Sequence, residues 1–118
     1  MNKQLNNILE QLLKFRRERD WEQFHRPKEL AISIVLEAAE LLEEFQWKTD
    51  KEIKKYLDEG GLENVREEIA DIAIYLLLLS HDLRIDLPDA IKKKLKKNEV
   101  KYPVEKAKGS NKKYSELD

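Results

Sequence analysis

The chain has 118 residues, too few to divide into two independent cores, so we expect a single folded domain. It contains no cysteine, which excludes disulfides, zinc–thiolate sites and a thiol nucleophile. The net charge is only −1, but residues 92–118 hold ten lysines and four acidic side chains, while residues 1–91 are acidic overall.

The apolar pattern predicts five helices and no strand. Leucine and isoleucine recur at helical spacing in the first segment, and proline, glycine and capping residues mark the later boundaries. The predicted helices are Asn2–Arg19, a segment from just after Pro27 to Gln46, a short one from Thr49 or Asp50 to Leu57, Glu63–Leu83, and one capped by Asp86 and ended by Tyr102-Pro103. The sequence therefore predicts an all-α protein, with residues 1–103 as the helical domain and residues 104–118 as an extended basic tail.

No segment has the pattern of a membrane or targeting element. The longest apolar run, Ile72–Leu79, is far shorter than the roughly 20 residues that cross a bilayer. The first four residues do not resemble a secretory signal, so we expect a cytoplasmic protein with no membrane partner. The lysine-rich region would also suit nucleic acid, but no groove-reading motif accompanies it, so we expect no nucleic-acid partner.

Carboxylates interrupt the two most apolar helices. Glu37 and Glu40 are three residues apart and share one face of helix two, and Glu68 and Asp71 repeat this spacing in helix four. An isolated ionised carboxylate among apolar neighbours is costly unless a partner or a metal compensates it. Two such helices packed antiparallel bring four carboxylates to one point, and an all-oxygen ligand set of this kind suits Mg²⁺.

The ordinary explanation for such pairs is an exposed acidic face, since the chain has 24 acidic residues. Two pairs set in apolar helices favour metal binding over that explanation. Glu43 and Glu44 follow one turn later, where either would add a ligand or a base. Glu22 and His25 match half of a di-iron site, but such a site needs a second Glu-x-x-His motif, which the sequence lacks.

Aromatic side chains flank helix two at both ends: Trp21, Phe24, His25 and Trp47. They fit either the rim of the core or a cage that stacks on a nucleobase. A stripe at four-residue spacing follows on the last helix: Lys94, Asn98 and Tyr102. These three residues fit either a plain surface or contacts to phosphate, sugar and base.

The pattern Glu37-Ala38-Ala39-Glu40 followed by Glu68-Ile69-Ala70-Asp71 resembles the metal motifs of the MazG-like all-α nucleotide pyrophosphohydrolases. The flanking sequence resembles, more specifically, the dCTP pyrophosphatases within that family. The segments that carry this resemblance are Arg19–His25, Phe45–Lys48, Arg84–Pro88, Lys101–Pro103 and Gly109–Tyr114. They occur in the expected order over nearly the whole chain.

The resemblance implies a MazG-like four-helix bundle completed by homo-oligomerisation, as a dimer or a tetramer. It implies hydrolysis of a nucleoside triphosphate, dCTP or a related or modified deoxynucleotide, to the monophosphate and pyrophosphate. Mg²⁺ is the implied cofactor, with Mn²⁺ as a substitute, and the cellular purpose is the clearance of unwanted nucleotides.

The residue roles follow from the motif positions. The implied metal ligands are Glu37, Glu40, Glu68 and Asp71. The implied substrate-binding residues are Trp21, His25 and Trp47 for the base, and Lys94, Asn98 and Tyr102 for phosphates or sugar. We expect Glu40 or Glu43 to act as the general base that deprotonates the attacking water.

Two departures from the family pattern bear on base selectivity. The segment between Trp47 and Glu68 is one residue shorter than in the animal enzymes, and Ala38 and Ala39 stand where glycine is common. Neither changes a predicted ligand. The alternative function is a non-catalytic helical oligomerisation module with a structural cation site.

Overall fold

The computed structural model describes residues 2–117, and this part of the chain is helical, with no strand. Its main helices are α1 (Lys3–Glu18), α2 (Pro27–Glu43), α3 (Asp50–Tyr56), α4 (Leu62–Asp82) and α5 (Leu87–Lys101). Shorter helical turns are Glu22–Phe24, a π-type turn at Leu57–Gly61, α6 (Val104–Ala107) and Tyr114–Glu116. The all-α prediction is confirmed, although the region predicted to be an extended tail contains two helical turns.

Helix starts follow the capping residues in the sequence. Pro27 occupies the first turn of α2. At α3 the side chain of Thr49 accepts a hydrogen bond from the Glu52 amide, and the Glu52 carboxylate accepts one from the Thr49 amide. This capping box selects Thr49 over Asp50 as the cap. Asp86 caps α5 by accepting a hydrogen bond from the Asp89 amide at 3.1 Å.

Helix α2 ends three residues before the predicted boundary at Gln46. The backbone tightens there, with the Phe45 amide donating to the Leu42 carbonyl at 2.9 Å. The ammonium of Lys48 donates to the Glu44 carbonyl at 2.8 Å and satisfies one of the carbonyls that the end of the helix leaves free.

The chain forms two compact units, residues 2–85 and a unit that begins at Asp86. In the first unit α2 packs against α4, α1 also lies against α4, and α3 joins α4 through the π-type turn. Among the described residues only three apolar side chains are buried, namely Leu30, Val65 and Leu78, and of these Leu30 has no exposed surface. The core of the first unit is therefore small and centred on α2 and α4.

The turn between α3 and α4 depends on two glycines. Gly60 adopts a φ of +108°, which favours glycine. Gly61 has ordinary backbone angles, but a Cβ there would lie 2.5 Å from ring carbons of Tyr56. The absence of a side chain at Gly61 therefore lets the Tyr56 ring pack against the start of α4.

Many apolar side chains on α2 and α4 remain exposed to solvent in the single chain. The exposed apolar side chains on them include Ile32, Val35, Leu36, Leu42, Ile69 and Leu76. Val35 alone is 67% exposed. An apolar face of this kind is typical of a surface that another molecule covers. In the described part of the chain no helix is both long and apolar enough to cross a membrane.

Candidate functional site

Three carboxylates from α2 and α4 converge on one point. Glu37, Glu40 and Glu68 each place an oxygen within 4.8 Å of the others. Glu37 and Glu68 are half-buried, whereas Glu40 is exposed. The three-residue spacing on α2 aligns the first two side chains, and the packing of α2 on α4 brings the third to them.

Asp71, the fourth predicted ligand, lies beside this carboxylate group but outside the set of three that converges. Its charge contributes to raising the pKa of both Glu37 and Glu68. Glu44, one turn beyond Glu40, contributes only to the shift at Glu68.

The carboxylate group is electrostatically costly without a cation. Burial raises the pKa of Glu37 to about 7, and a hydrogen bond with Glu40 and the neighbouring negative charges add to the shift. Burial also raises the pKa of Glu68, again with help from Glu40. The Oε2 atoms of Glu37 and Glu68 are buried and have no hydrogen-bond partner among the described residues. Orphaned carboxylate oxygens in an all-oxygen cluster fit a hard divalent cation such as Mg²⁺.

Tyr56 holds Glu44 at the edge of the carboxylate group. Its hydroxyl donates to the Glu44 carboxylate and accepts a hydrogen bond from the Asn64 amide at 3.1 Å. The Lys48 ammonium lies 4.4 Å from the centre of the Tyr56 ring. The structure therefore supports Glu44 with a network, whereas Glu43, the predicted alternative base, is exposed.

A cavity of about 430 Å³ adjoins the carboxylate group. Its aromatic walls come from Phe15, Trp21, His25 and Tyr75, and Asp71 also lines it. The Phe15 and Trp21 rings meet edge to face at 5.7 Å, and His25 meets Tyr75 in the same way at 6.4 Å. The structure thus brings Trp21 and His25, both predicted to bind a base, to one cavity that reaches a predicted metal ligand.

The other four predicted substrate residues belong to other segments of the chain. Trp47 follows α2, is 85% exposed and does not line the aromatic cavity. Lys94 and Asn98 belong to α5 and Tyr102 caps it, all within the second unit. The Tyr102 ring packs edge to face on Tyr114 at 6.3 Å. The roles expected for these residues stay predictions.

An ion pair that no sequence motif indicates joins α1, next to the cavity, to the end of α4. Arg16 Nη1 donates to Asp82 Oδ2 at 2.8 Å and Nη2 donates to Oδ1 at 2.9 Å, with side chains 7% and 22% exposed. The pair joins residues 66 positions apart, so no local spacing indicates it. The one available signal is that Arg16 falls on the apolar stripe of α1, in register with Leu5, Leu9 and Leu12.

A second cleft, of about 580 Å³, lies on the other side of Arg16 and is lined mainly by charged side chains. It contains none of the predicted metal or substrate residues. We therefore take the smaller cavity, which adjoins the carboxylate group, as the candidate site.

Comparisons with known proteins show what the chain is similar to. Residues 32–117 match the model of the MazG-like family, and this range carries all four predicted carboxylates. The chain is 43% identical over 104 residues to dCTP pyrophosphatase 1 of Homo sapiens, covering 87% of this chain and 61% of that protein. The Bos taurus protein of the same name is also 43% identical, with 62% of its length covered. The chain thus spans about three fifths of the length of these relatives.

A solved structure has a fold similar to that of this chain. The chain is similar to a pyrophosphatase from Archaeoglobus fulgidus DSM 4304, with a TM-score of 0.81 and 43% sequence identity. The match covers 87% of this chain and 95% of that one.

We expect the metal-free protein to lose thermal stability as the pH rises from about 4.5 to about 7. The pKa of Glu37 is higher in the folded chain than its ordinary value of 4.5, so the folded state holds a proton that the unfolded state has released. Ionisation above that range leaves crowded negative charge in the fold. Thermal denaturation in a chelator at several pH values, with and without Mg²⁺, measures the effect.

Mg²⁺ should raise the melting temperature more at the alkaline end of this range than at the acidic end. The matched control is Glu37→Gln, in which the melting temperature of the metal-free protein should fall less as the pH rises. An equal pH slope in the variant and the wild type would contradict the assignment of the slope to Glu37.

Proposed function

Because the chain belongs to the MazG-like family, we propose that it hydrolyses a nucleoside triphosphate, preferably dCTP or a related deoxynucleotide, to the monophosphate and pyrophosphate. The observation that carries this proposal is the convergence of three carboxylates beside an aromatic cavity. The names of the relatives, dCTP pyrophosphatase 1 and pyrophosphatase, support the same reaction class.

In this proposal a divalent cation, Mg²⁺ or Mn²⁺ in its place, binds the carboxylate group. Glu37, Glu40 and Glu68 hold it, and Asp71 beside them is the fourth proposed ligand. When bound, the cation supplies the positive charge that neutralises triphosphate oxygens and helps to orient a water. The proposed general base is Glu40, since it lies within the group whereas Glu43 is exposed outside it.

The aromatic cavity is the proposed nucleobase site. Ring faces of Trp21, His25 and Tyr75 offer stacking surfaces of a kind that any base accepts. Because Asp71 lines the same cavity, the proposed base site lies next to the proposed metal site. Lys94, Asn98 and Tyr102 keep, within this proposal, the phosphate and sugar roles that the family resemblance implies.

We also propose that a second copy of the chain covers the exposed apolar face of α2 and α4. The support is the small core of the single chain together with the exposure of Val35, Leu36 and Ile69 on that face. An obligate homodimer interface typically has this apolar character. The exposed Trp47 would then lie near a partner chain instead of standing alone in solvent.

The test of the function is a nucleotide panel. The purified protein is incubated with Mg²⁺ and each deoxynucleoside triphosphate, and the products are separated by ion-exchange chromatography. We expect dCMP and pyrophosphate from dCTP to form faster than the products of the other nucleotides. Faster turnover of another nucleotide would keep the reaction and replace the substrate. A folded protein without any turnover would favour the non-catalytic oligomerisation module.

We expect Asp71→Asn to lower Mg²⁺-dependent turnover about 100-fold, because the variant removes charge next to the cation site. Its fold should persist, since the substitution also removes repulsion from Glu37 and Glu68. Steady-state kinetics and circular dichroism measure the two effects. Glu63→Gln is the control, because this acidic residue is exposed on the same helix. Near-normal activity of Asp71→Asn would contradict its metal role.

We expect Val35→Glu to disrupt the proposed assembly, because a carboxylate would enter the apolar interface. Light scattering coupled to size-exclusion chromatography measures the mass of the particle. Lys28→Glu adds a carboxylate at a polar, exposed position of the same helix and should leave the mass unchanged. A wild-type protein that is monomeric at micromolar concentration would disprove the assembly.

A further inference from the structure

The acidic face of α2 continues one turn beyond the carboxylate group. Glu37, Glu40 and Glu44 are three and then four residues apart, which places them along one face of the helix. Glu44 directly follows α2 but keeps helical backbone angles, with φ −63° and ψ −23°, so the face continues through it. Its side chain is half-buried, and its charge contributes to raising the pKa of Glu68. Glu44 therefore lies within electrostatic reach of the carboxylate group.

Tyr56 determines which groups donate and which accept around Glu44. A tyrosine hydroxyl has a single proton to donate, and here that proton goes to Oε2 of Glu44. The oxygen of the same hydroxyl accepts a hydrogen bond from the side-chain amide of Asn64 at 3.1 Å. Asn64 stands four residues before Glu68 on α4, on the helical face that carries this carboxylate. The hydrogen bonds therefore run from α4 through Tyr56 to Glu44, and Glu44 is the final acceptor.

The ring of Tyr56 is itself held in place. A Cβ at Gly61 would lie 2.5 Å from ring carbons of Tyr56, so the ring packs directly against that stretch of backbone. The Lys48 ammonium lies 4.4 Å from the ring centre and also donates to the backbone carbonyl of Glu44 at 2.8 Å. Both the side chain and the backbone of Glu44 are therefore anchored, which leaves its carboxylate little freedom to move.

A carboxylate held in this way is suited to orient a water molecule. Glu40 and Glu44 are four residues apart, so their Cβ atoms stand roughly 5–6 Å from each other and one water can contact both carboxylates. A water molecule has two O–H bonds. When a base takes one proton, a hydrogen bond to the other O–H fixes the direction in which the oxygen attacks.

We propose that Glu44 accepts a hydrogen bond from the attacking water, and that Tyr56 is the positioning residue that holds Glu44 for this task. The inference rests on the proposed hydrolysis and adds a residue to it. In the step itself the water oxygen forms a bond to phosphorus, and the bond from phosphorus to the leaving oxygen breaks, with its electron pair. One water proton goes to Glu40, the proposed base. The second O–H stays hydrogen-bonded to Oε1 of Glu44, which takes no proton.

The first test is Tyr56→Phe, which removes the hydroxyl and keeps the ring that packs against Gly61 and Lys48. We expect kcat for the preferred nucleotide to fall about tenfold, because the water loses a fixed acceptor. KM should change less than about twofold, because Tyr56 makes no proposed contact with the substrate. Steady-state kinetics in the presence of Mg²⁺ separates the two constants.

A double variant distinguishes positioning from a purely structural role. Glu44→Gln alone should lower kcat at least as much as Tyr56→Phe, and Glu63→Gln, at an exposed acid on α4, is its control. If Tyr56 acts through Glu44, adding Tyr56→Phe to Glu44→Gln lowers kcat no further. Losses of kcat that add in the double variant, or an effect confined to KM, overturn the positioning role.

A third variant covers the case in which a change at Tyr56 or Glu44 prevents folding. Asn64→Ala alters an exposed side chain and removes the donor that orients the Tyr56 hydroxyl, so kcat should fall in the same direction. Circular dichroism and thermal denaturation check the fold of each variant. An unchanged kcat in every variant that folds overturns the inference.

Binding of Mg²⁺ to Tyr56→Phe supplies a measurement that needs no turnover. The variant keeps every carboxylate, so calorimetric titration with Mg²⁺ alone should give the wild-type affinity. If Glu44 instead holds the cation, loss of its supporting hydrogen bond should weaken binding about 10- to 100-fold, and that result overturns the water-orienting role.

The kinetics also separate this inference from the proposed function. A folded wild type that hydrolyses no nucleotide would refute the proposed function, and the role of Glu44 with it. A wild type that hydrolyses a nucleoside triphosphate, with the same kcat in Tyr56→Phe and Glu44→Gln, overturns the role of Glu44 alone.

Discussion

Mutual repulsion among carboxylates held between two apolar helices is the constraint on which this structure depends. Glu37, Glu40 and Glu68 converge where α2 packs on α4. Asp71 and Glu44 lie close enough to add further negative charge. The chain tolerates this because apolar packing fixes the helices independently of the charges. The unfavourable repulsion is therefore confined to the carboxylate group, and the packing of the surrounding helices holds the group in place.

The contacts that hold the side chains around the carboxylate group come from several parts of the first unit. Tyr56 holds Glu44, and the glycine turn after α3 allows the Tyr56 ring to sit there. At the C-terminal end of α4, the Arg16–Asp82 pair attaches α1, and α1 carries one wall of the aromatic cavity. The carboxylate group, the aromatic cavity and the ion pair all involve residues of α4, so this helix connects the proposed metal site to the aromatic cavity.

Much of this arrangement could be predicted from sequence because its determinants are local. Proline and capping side chains at Pro27, Thr49 and Asp86 mark helix starts within a few residues. The three-residue spacing of acids places them on one helical face without any tertiary information. By contrast, the Arg16–Asp82 and Tyr56–Glu44 contacts depend on how helices pack, and nothing in the neighbouring sequence specifies their partners. The early end of α2 is likewise not indicated by the sequence, because the tightened turn after Glu43 and the hydrogen bond from Lys48 to the Glu44 carbonyl leave no local pattern.

Helix α1 lies outside the stretch that matches the family model, which begins at residue 32, yet it carries Arg16 and part of the cavity wall. The carboxylate group, by contrast, lies entirely on α2 and α4, within the matched stretch. A substitution in α1 can therefore reshape the aromatic cavity without altering any of the three converging carboxylates.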